Sequence, residues 1–228
     1  MSFRGRHKVP ARRAPIRPPK ERFLVLTEGK RTEREYLEAF ARRSRGALVE
    51  VVVPDEHGMP MTLVRAAKRL RDEAEASADR EGDDNLRYDQ VWCVCDVDQH
   101  PHLKSAVAEA LAAGISFAVS SPSFELWLLL HFRENPGMRS GAELVQMLRI
   151  FVPGYEKRID FERYEPGYAA AVGRAQRLDG DAASAGEQLR NPSSGVWRMA
   201  EAIRGDAQLP GASPEKPANP SPQRKAGR

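Results

Sequence analysis

The sequence predicts an α/β fold, a parallel sheet flanked by helices, followed by a helical C-terminal extension. Two observations carry this. Two short apolar runs, Phe23–Thr27 and Val91–Cys95, read as buried parallel strands, each followed by a helical pattern. Each run also ends in acid, Glu28-Gly29-Lys30 after the first and Asp96-Val97-Asp98 after the second. Ligands bind beyond the carboxyl ends of parallel strands, so the carboxylates of both runs are expected at one edge of one sheet.

The elements follow in order. After the first strand, Thr32-Glu33-Arg34-Glu35 has the form of a capping box, with Thr32 as N-cap, opening a helix that buries Tyr36, Leu37 and Phe40. Leu48–Val53 reads as a second strand, stopped by Pro54-Asp55. Leu63, Ala67, Leu70 and Ala74 recur with the period of an amphipathic helix, and an acidic stretch from Asp79 to Asp89 links it to the Val91 strand. A helix over Lys104–Ala113 ends at Gly114, and Ile115–Val119 makes a fourth strand. Strictly alternating strands and helices favour a parallel sheet with right-handed crossovers. From Pro122 the pattern is helical, with candidates at Phe124–Phe132, Ala142–Phe151, Tyr168–Leu178 and Ser194–Ile203.

The net charge of +4 is unevenly spread. Residues 1–22 carry +7 and residues 205–228 carry +2, so the segment between them is acidic, at −5. Basicity therefore belongs to the tails and does not by itself make the folded part a nucleic-acid binder. Both tails are proline-rich and short of apolar surface, which predicts disorder for 1–22 and 205–228 around one domain at 23–204. The first tail lacks the apolar stretch of a secretory signal, and no run approaches the length of a membrane span. The two cysteines, Cys93 and Cys95, share one strand at a spacing unsuited to an unstrained disulfide and are expected as buried thiols. These features predict a cytoplasmic protein.

Asp96 and Asp98 carry the sharpest chemistry. A core strand has no need of charge, and two unpaired carboxylates at its buried end would repel and be costly to ionise. A divalent cation resolves both problems, and Mg²⁺ favours one or two carboxylates with water and phosphate oxygens. The plainer reading is a turn of solvated acids before His100-Pro101. Glu28, beside the permissive Gly29, could serve as general acid or base or share a metal, or could be an ordinary turn residue. Gly29-Lys30-Arg31-Thr32 is not a nucleotide-binding P-loop, because Leu24 stands where its first glycine belongs.

Glu125 lies in Pro122–Phe132, a run apolar on nearly every face and so a buried helix, where a carboxylate needs an arginine or a metal as partner. His131, six residues on and about 240° around the helix, falls off Glu125's face and is expected as a hydrogen-bonded core histidine. His100 and His102 are expected as loop residues. Lys30, Arg31 and Arg34 near the acidic edge are candidate phosphate contacts, with Lys30 foremost, or members of a solvated helix face; Arg42, Arg43 and Arg45 lie near the far end of the same helix.

Four segments together resemble the RloB family: Phe23–Glu33, Val94–Asp98, Ser121–Phe132 with its Phe-Glu-Leu-Trp run, and Asn191–Ser194 before the last helix. The resemblance covers roughly residues 22–204. Ser121 and Ser123 depart from the asparagine and cysteine expected around Pro122. RloB proteins are similar to Toprim domains and are encoded near restriction or abortive-infection loci, so the resemblance implies a Toprim-like fold and a role in defence against phage or foreign DNA. It puts Glu28 in the place of the Toprim glutamate and Asp96 and Asp98 in that of the metal-binding pair. By likeness to OLD-type nucleases it adds Glu33, Ser123 and Glu125.

The expectation is a Mg²⁺- or Mn²⁺-dependent nuclease acting on DNA or RNA. Asp96, Asp98 and Glu125 would be at the metal, Glu28 and Lys30 in catalysis, and Lys30, Arg31 and Arg34 on the nucleic acid. A partner defence protein is possible within the same expectation, and no membrane is involved. The alternative is a non-catalytic adaptor that grips nucleic acid through the basic segment from Arg4 to Arg22.

Overall fold

The computed structural model describes residues 20–44, 46–55, 59–97, 102–187 and 189–205. The strands are β1 (Glu21–Thr27), β2 (Ala47–Val52), β3 (Gln90–Asp96), β4 (Ser116–Ser121) and β5 (Ser193–Ser194). The helices are α1 (Thr32–Arg43), α2 (Pro60–Glu81), α3 (Leu103–Ala112), α4 (Glu125–Leu130), α5 (Gly141–Phe151), α6 (Tyr168–Ser184) and α7 (Val196–Arg204). The strands make one mostly parallel sheet in the order β2-β1-β3-β4-β5, and helices dominate after β4, so the fold is α/β with a helical C-terminal part. The sheet is mixed rather than wholly parallel, because β5 pairs antiparallel to β4. The chain divides into two compact units, with β3 contributing Gln90–Cys93 to the first and its last residues to the second.

In the first unit β1 pairs in parallel with β2, from Glu21 opposite Ala47 to Leu26 opposite Val52. Phe23, Leu24, Val25 and Leu26 are all buried, the continuous apolar pattern of a strand covered on both faces. Helix α1 buries Thr32, Tyr36, Leu37 and Phe40, one stripe of a 3.6-residue period. The capping box expected there does not form: Arg31 is the N-cap, and Thr32 is a buried first-turn residue. Helix α2 starts with Pro60, whose missing N–H costs nothing at that position, and runs on through Asp79 to end at Gly82. The acidic linker is thus shorter than expected and is tied to the start of β1. The Arg22 backbone N–H donates to Asp89 Oδ2 at 2.8 Å, and the Arg22 guanidinium stacks on Tyr88 at 4.7 Å. Glu21 and Arg22, assigned from sequence to the basic tail, belong to β1.

In the second unit β4 pairs with β5 through Ser120 opposite Ser194 and Ser121 opposite Ser193. The Ser120 and Ser194 hydroxyls share a buried hydrogen bond of 3.2 Å. Sequence reading placed Ser194 in a helix; the helix begins two residues later, at Val196. Every residue of α4 is buried, as its all-round apolar character requires. Its carboxyl end is held by Arg174 of α6, which donates to Leu130 O at 2.7 Å and to Glu134 at 2.9 Å. Gly167 passes so close to His131 that a Cβ there would fall 2.2 Å from the His131 carbonyl oxygen. A true capping box opens α5, where the Ser140 hydroxyl accepts from the Glu143 N–H and the Glu143 carboxylate accepts from the Ser140 N–H. Cys93 and Cys95 are buried free thiols, and burial pushes Cys93 up to about 12.

Candidate functional site

Glu28 leaves the end of β1 in a turn that the sequence fixes locally. Thr27, buried, donates its hydroxyl to the Gly29 carbonyl at 3.0 Å. Glu28 is half-buried, with its Oε2 shielded from solvent. The Glu33 side chain lies back over Gly29: a Cβ at Gly29 would fall 1.8 Å from Glu33 Oε2. A side chain at Gly29 would push the far end of Glu33 aside, so the glycine is what lets that carboxylate lie over the turn. Lys30 and Arg31 are exposed in the same turn. Arg34 is instead engaged along α1, its Nε donating to Glu38 at 2.7 Å, which holds the guanidinium above its ordinary pKa. A phosphate would have to compete with that pair.

In the second unit Asp96 is the last residue of β3 and is half-buried. The chain leaves the strand with Val97 N–H donating to Ser120 O at 2.8 Å. Asp98 and His100 lie outside the described residues, while His102 is the N-cap of α3 in the first unit. Glu125 is buried, and its partner is not an arginine. The Ser123 hydroxyl donates to Oε2 at 2.7 Å and the Tyr155 hydroxyl to Oε1 at 3.2 Å, while Lys157 Nζ stands 4.0 Å from Oε1. Ser123, expected near the site, therefore serves Glu125 directly. Tyr155 and Lys157 were not found from the sequence. The one local signal was Pro153-Gly154, which marks a turn but says nothing of where the next side chains land.

His131 is the core histidine expected. Its Nδ1 lies 2.9 Å from the Trp127 carbonyl, and its ring packs edge-on to Trp127 and Tyr164. Burial lowers its pKa to about 4, against the opposing effect of the Trp127 carbonyl. The folded protein thus holds the ring neutral, and the unfolded chain binds the extra proton. Stability from this residue is complete above the unfolded pKa near 6.5 and is lost as pH falls toward 4, by about 3 kcal/mol in all. Urea unfolding between pH 7 and 4 should show this slope, and His131→Gln should flatten it.

Among the described residues no group of three or more His, Cys, Asp or Glu side chains could hold a metal ion. The expected pair is only half represented there, since Asp98 is outside them. Asp96, half-buried at the end of β3, carries a hard oxygen donor of the kind that Mg²⁺ and Mn²⁺ take. Glu125 offers oxygens that already accept protein hydrogen bonds, a set better suited to a water-mediated contact than to a direct one.

The family model described as RloB-like protein matches residues 23–203. The chain belongs to the RloB-like family. The match runs from β1 to α7 and so takes in the Glu28 turn, the Asp96 strand end and the Glu125 helix of this RloB-like chain. No curated protein matches it, and no solved structure does. Among the described residues no helix is long and apolar enough to cross a membrane.

Proposed function

We propose that this RloB-like protein is a Mg²⁺- or Mn²⁺-dependent nuclease of Toprim type, cleaving DNA or RNA phosphodiester bonds in defence against phage or foreign DNA. Family membership suggests the defence role. The observation that carries the chemistry is acid at the carboxyl end of two core strands: Glu28, with Glu33 folded over Gly29, after β1, and Asp96 closing β3. Asp96 and Asp98 would hold the metal, with Glu125 reaching it through water. A bound Mg²⁺ or Mn²⁺ would supply charge neutralisation at the phosphate and acidify an attacking water. Glu28, half-buried beside Gly29, would serve as general acid or base, with Glu33 assisting. Lys30 and Arg31, exposed in the same turn, would bind non-bridging phosphate oxygens, and Arg34 would join them on leaving Glu38.

The basic segment from Arg4 to Arg22 favours a second reading, a non-catalytic nucleic-acid adaptor of a defence complex. Most of that segment lies outside the described residues. Deleting residues 1–19, which leaves β1 whole, separates the two. The nuclease should keep its metal-dependent turnover at low salt and lose mainly affinity. An adaptor would lose binding steeply and show no turnover before or after the deletion, as read by oligonucleotide binding and gel cleavage assays.

A further inference from the structure

We infer that Tyr155 is a positioning residue for Glu125, holding that carboxylate in the orientation in which it meets a water on the proposed metal. The inference rests on the reading of Asp96, Asp98 and Glu125 as a metal site, and it extends that site to the loop beyond α5.

Glu125 is held from two directions. The Ser123 hydroxyl, from two residues before it in sequence, donates to Oε2 at 2.7 Å, and the Tyr155 hydroxyl, from 30 residues beyond it, donates to Oε1 at 3.2 Å. A carboxylate turns easily about the bond that joins it to its own chain, since that torsion has only a broad preference. One donor leaves that freedom in large part, whereas donors on both oxygens fix the plane. A carboxylate has about four acceptor sites, so about two remain for other donors. Tyr155 is itself fixed. It is 2 % exposed, its N–H donates to the Val152 carbonyl at 3.1 Å, and its own carbonyl accepts from Arg149 Nε at 3.1 Å.

The kind of donor gives the contact a use beyond burial. The Glu125 side chain is 7 % exposed, and a carboxylate so buried needs compensation. An arginine fork would cancel its charge outright. Two hydroxyls are neutral, so they orient the carboxylate and leave its charge for another cation. Lys157 Nζ stands 4.0 Å from Oε1, beyond hydrogen-bond length, on a side chain 68 % exposed, where solvent screens it. A buried carboxylate held in one plane by neutral donors, with acceptor sites to spare, suits the outer shell of a hydrated cation. There it accepts from a metal-bound water, which Mg²⁺ gives up reluctantly. Partners that hydrogen-bond a metal-site carboxylate set its aim, and Tyr155 has that place here.

Mn²⁺ binding to the full-length protein, read by electron paramagnetic resonance without nucleic acid, tests this apart from turnover. Tyr155→Phe removes the hydroxyl and keeps the ring, and it should weaken Mn²⁺ binding about tenfold, as loss of an outer partner at a metal site does. A thermal melt checks that the variant is folded. A Tyr155 that served packing alone would lower the melt and leave the Mn²⁺ affinity of the folded protein at its wild-type value. Glu125→Gln removes the carboxylate that Tyr155 aims, so Tyr155→Phe/Glu125→Gln should bind Mn²⁺ as Glu125→Gln does. That pair also gives the answer if Glu125, short of one donor, keeps Tyr155→Phe from folding. Wild-type affinity in folded Tyr155→Phe, or a further loss on adding that change to Glu125→Gln, would overturn the inference. If Asp96→Ala/Asp98→Ala abolishes Mn²⁺ binding and Tyr155→Phe leaves it intact, the role of Tyr155 falls and the metal site stands. If Tyr155→Phe weakens binding but wild type cleaves no nucleic acid, the positioning stands and the nuclease falls. Absence of any Mn²⁺ binding by wild type would sink both.

Discussion

Replacing Asp96 and Asp98 together by alanine should abolish metal-dependent cleavage, with a loss of at least about 10³-fold. The magnitude follows from the role proposed for the pair. A divalent cation at the reacting phosphate supplies several kcal/mol of transition-state stabilisation, and every 1.4 kcal/mol or so is a factor of ten in rate. The fold should survive the change. Asp96 is half-buried at the last position of β3, and the buried residues that pack the strand, Val91–Cys95, are untouched. The metal-free double mutant should still unfold in one cooperative transition. Cleavage assays beside thermal melts separate a dead enzyme from an unfolded one. Wild-type rates in a folded double mutant would remove the pair from the mechanism.

Trp127→Ala should produce the largest loss of stability from a single substitution in the second unit, about 3–5 kcal/mol. Trp127 is 0 % exposed in the middle of α4, a helix whose every residue is buried. Its ring packs edge-on to His131 at 5.0 Å and Tyr168 at 6.3 Å, so truncation leaves an aromatic-lined cavity that rigid neighbours cannot fill. Leu111→Ala on α3, where the side chain is 63 % exposed, should by contrast stay within about 0.5 kcal/mol. Urea unfolding of the two variants reads the difference. A loss below about 1 kcal/mol for Trp127→Ala would mean that α4 is not the packing centre described here.

The sequence exposed those features whose physics is local. Phe23–Thr27 and Val91–Cys95 were legible as strands because burial on both faces leaves an unbroken apolar run. The all-round burial of α4 and the core place of His131 followed from the same composition argument. Local signals also misled. Thr32 to Glu35 has the letters of a capping box, but Thr32 is buried in the first turn; the box that forms, at Ser140 and Glu143, went unread. β5 has only two residues, too few for any periodicity, and its pairing with β4 is set by tertiary contact. Glu28, Glu33, Ser123 and Glu125 could be picked out as candidates from their motifs. Tyr155 and Lys157 were not, because their contact with Glu125 spans about 30 residues and depends on a left-handed turn that no spacing rule marks.

The most direct test of the central claim is incubation of the purified full-length protein with single- and double-stranded DNA and RNA, in Mg²⁺ or Mn²⁺ and in EDTA. Cleavage of one of these substrates, present with either metal and absent in EDTA, is the predicted result and would name the substrate. Tight binding without cleavage under any metal condition would contradict the nuclease and support the adaptor.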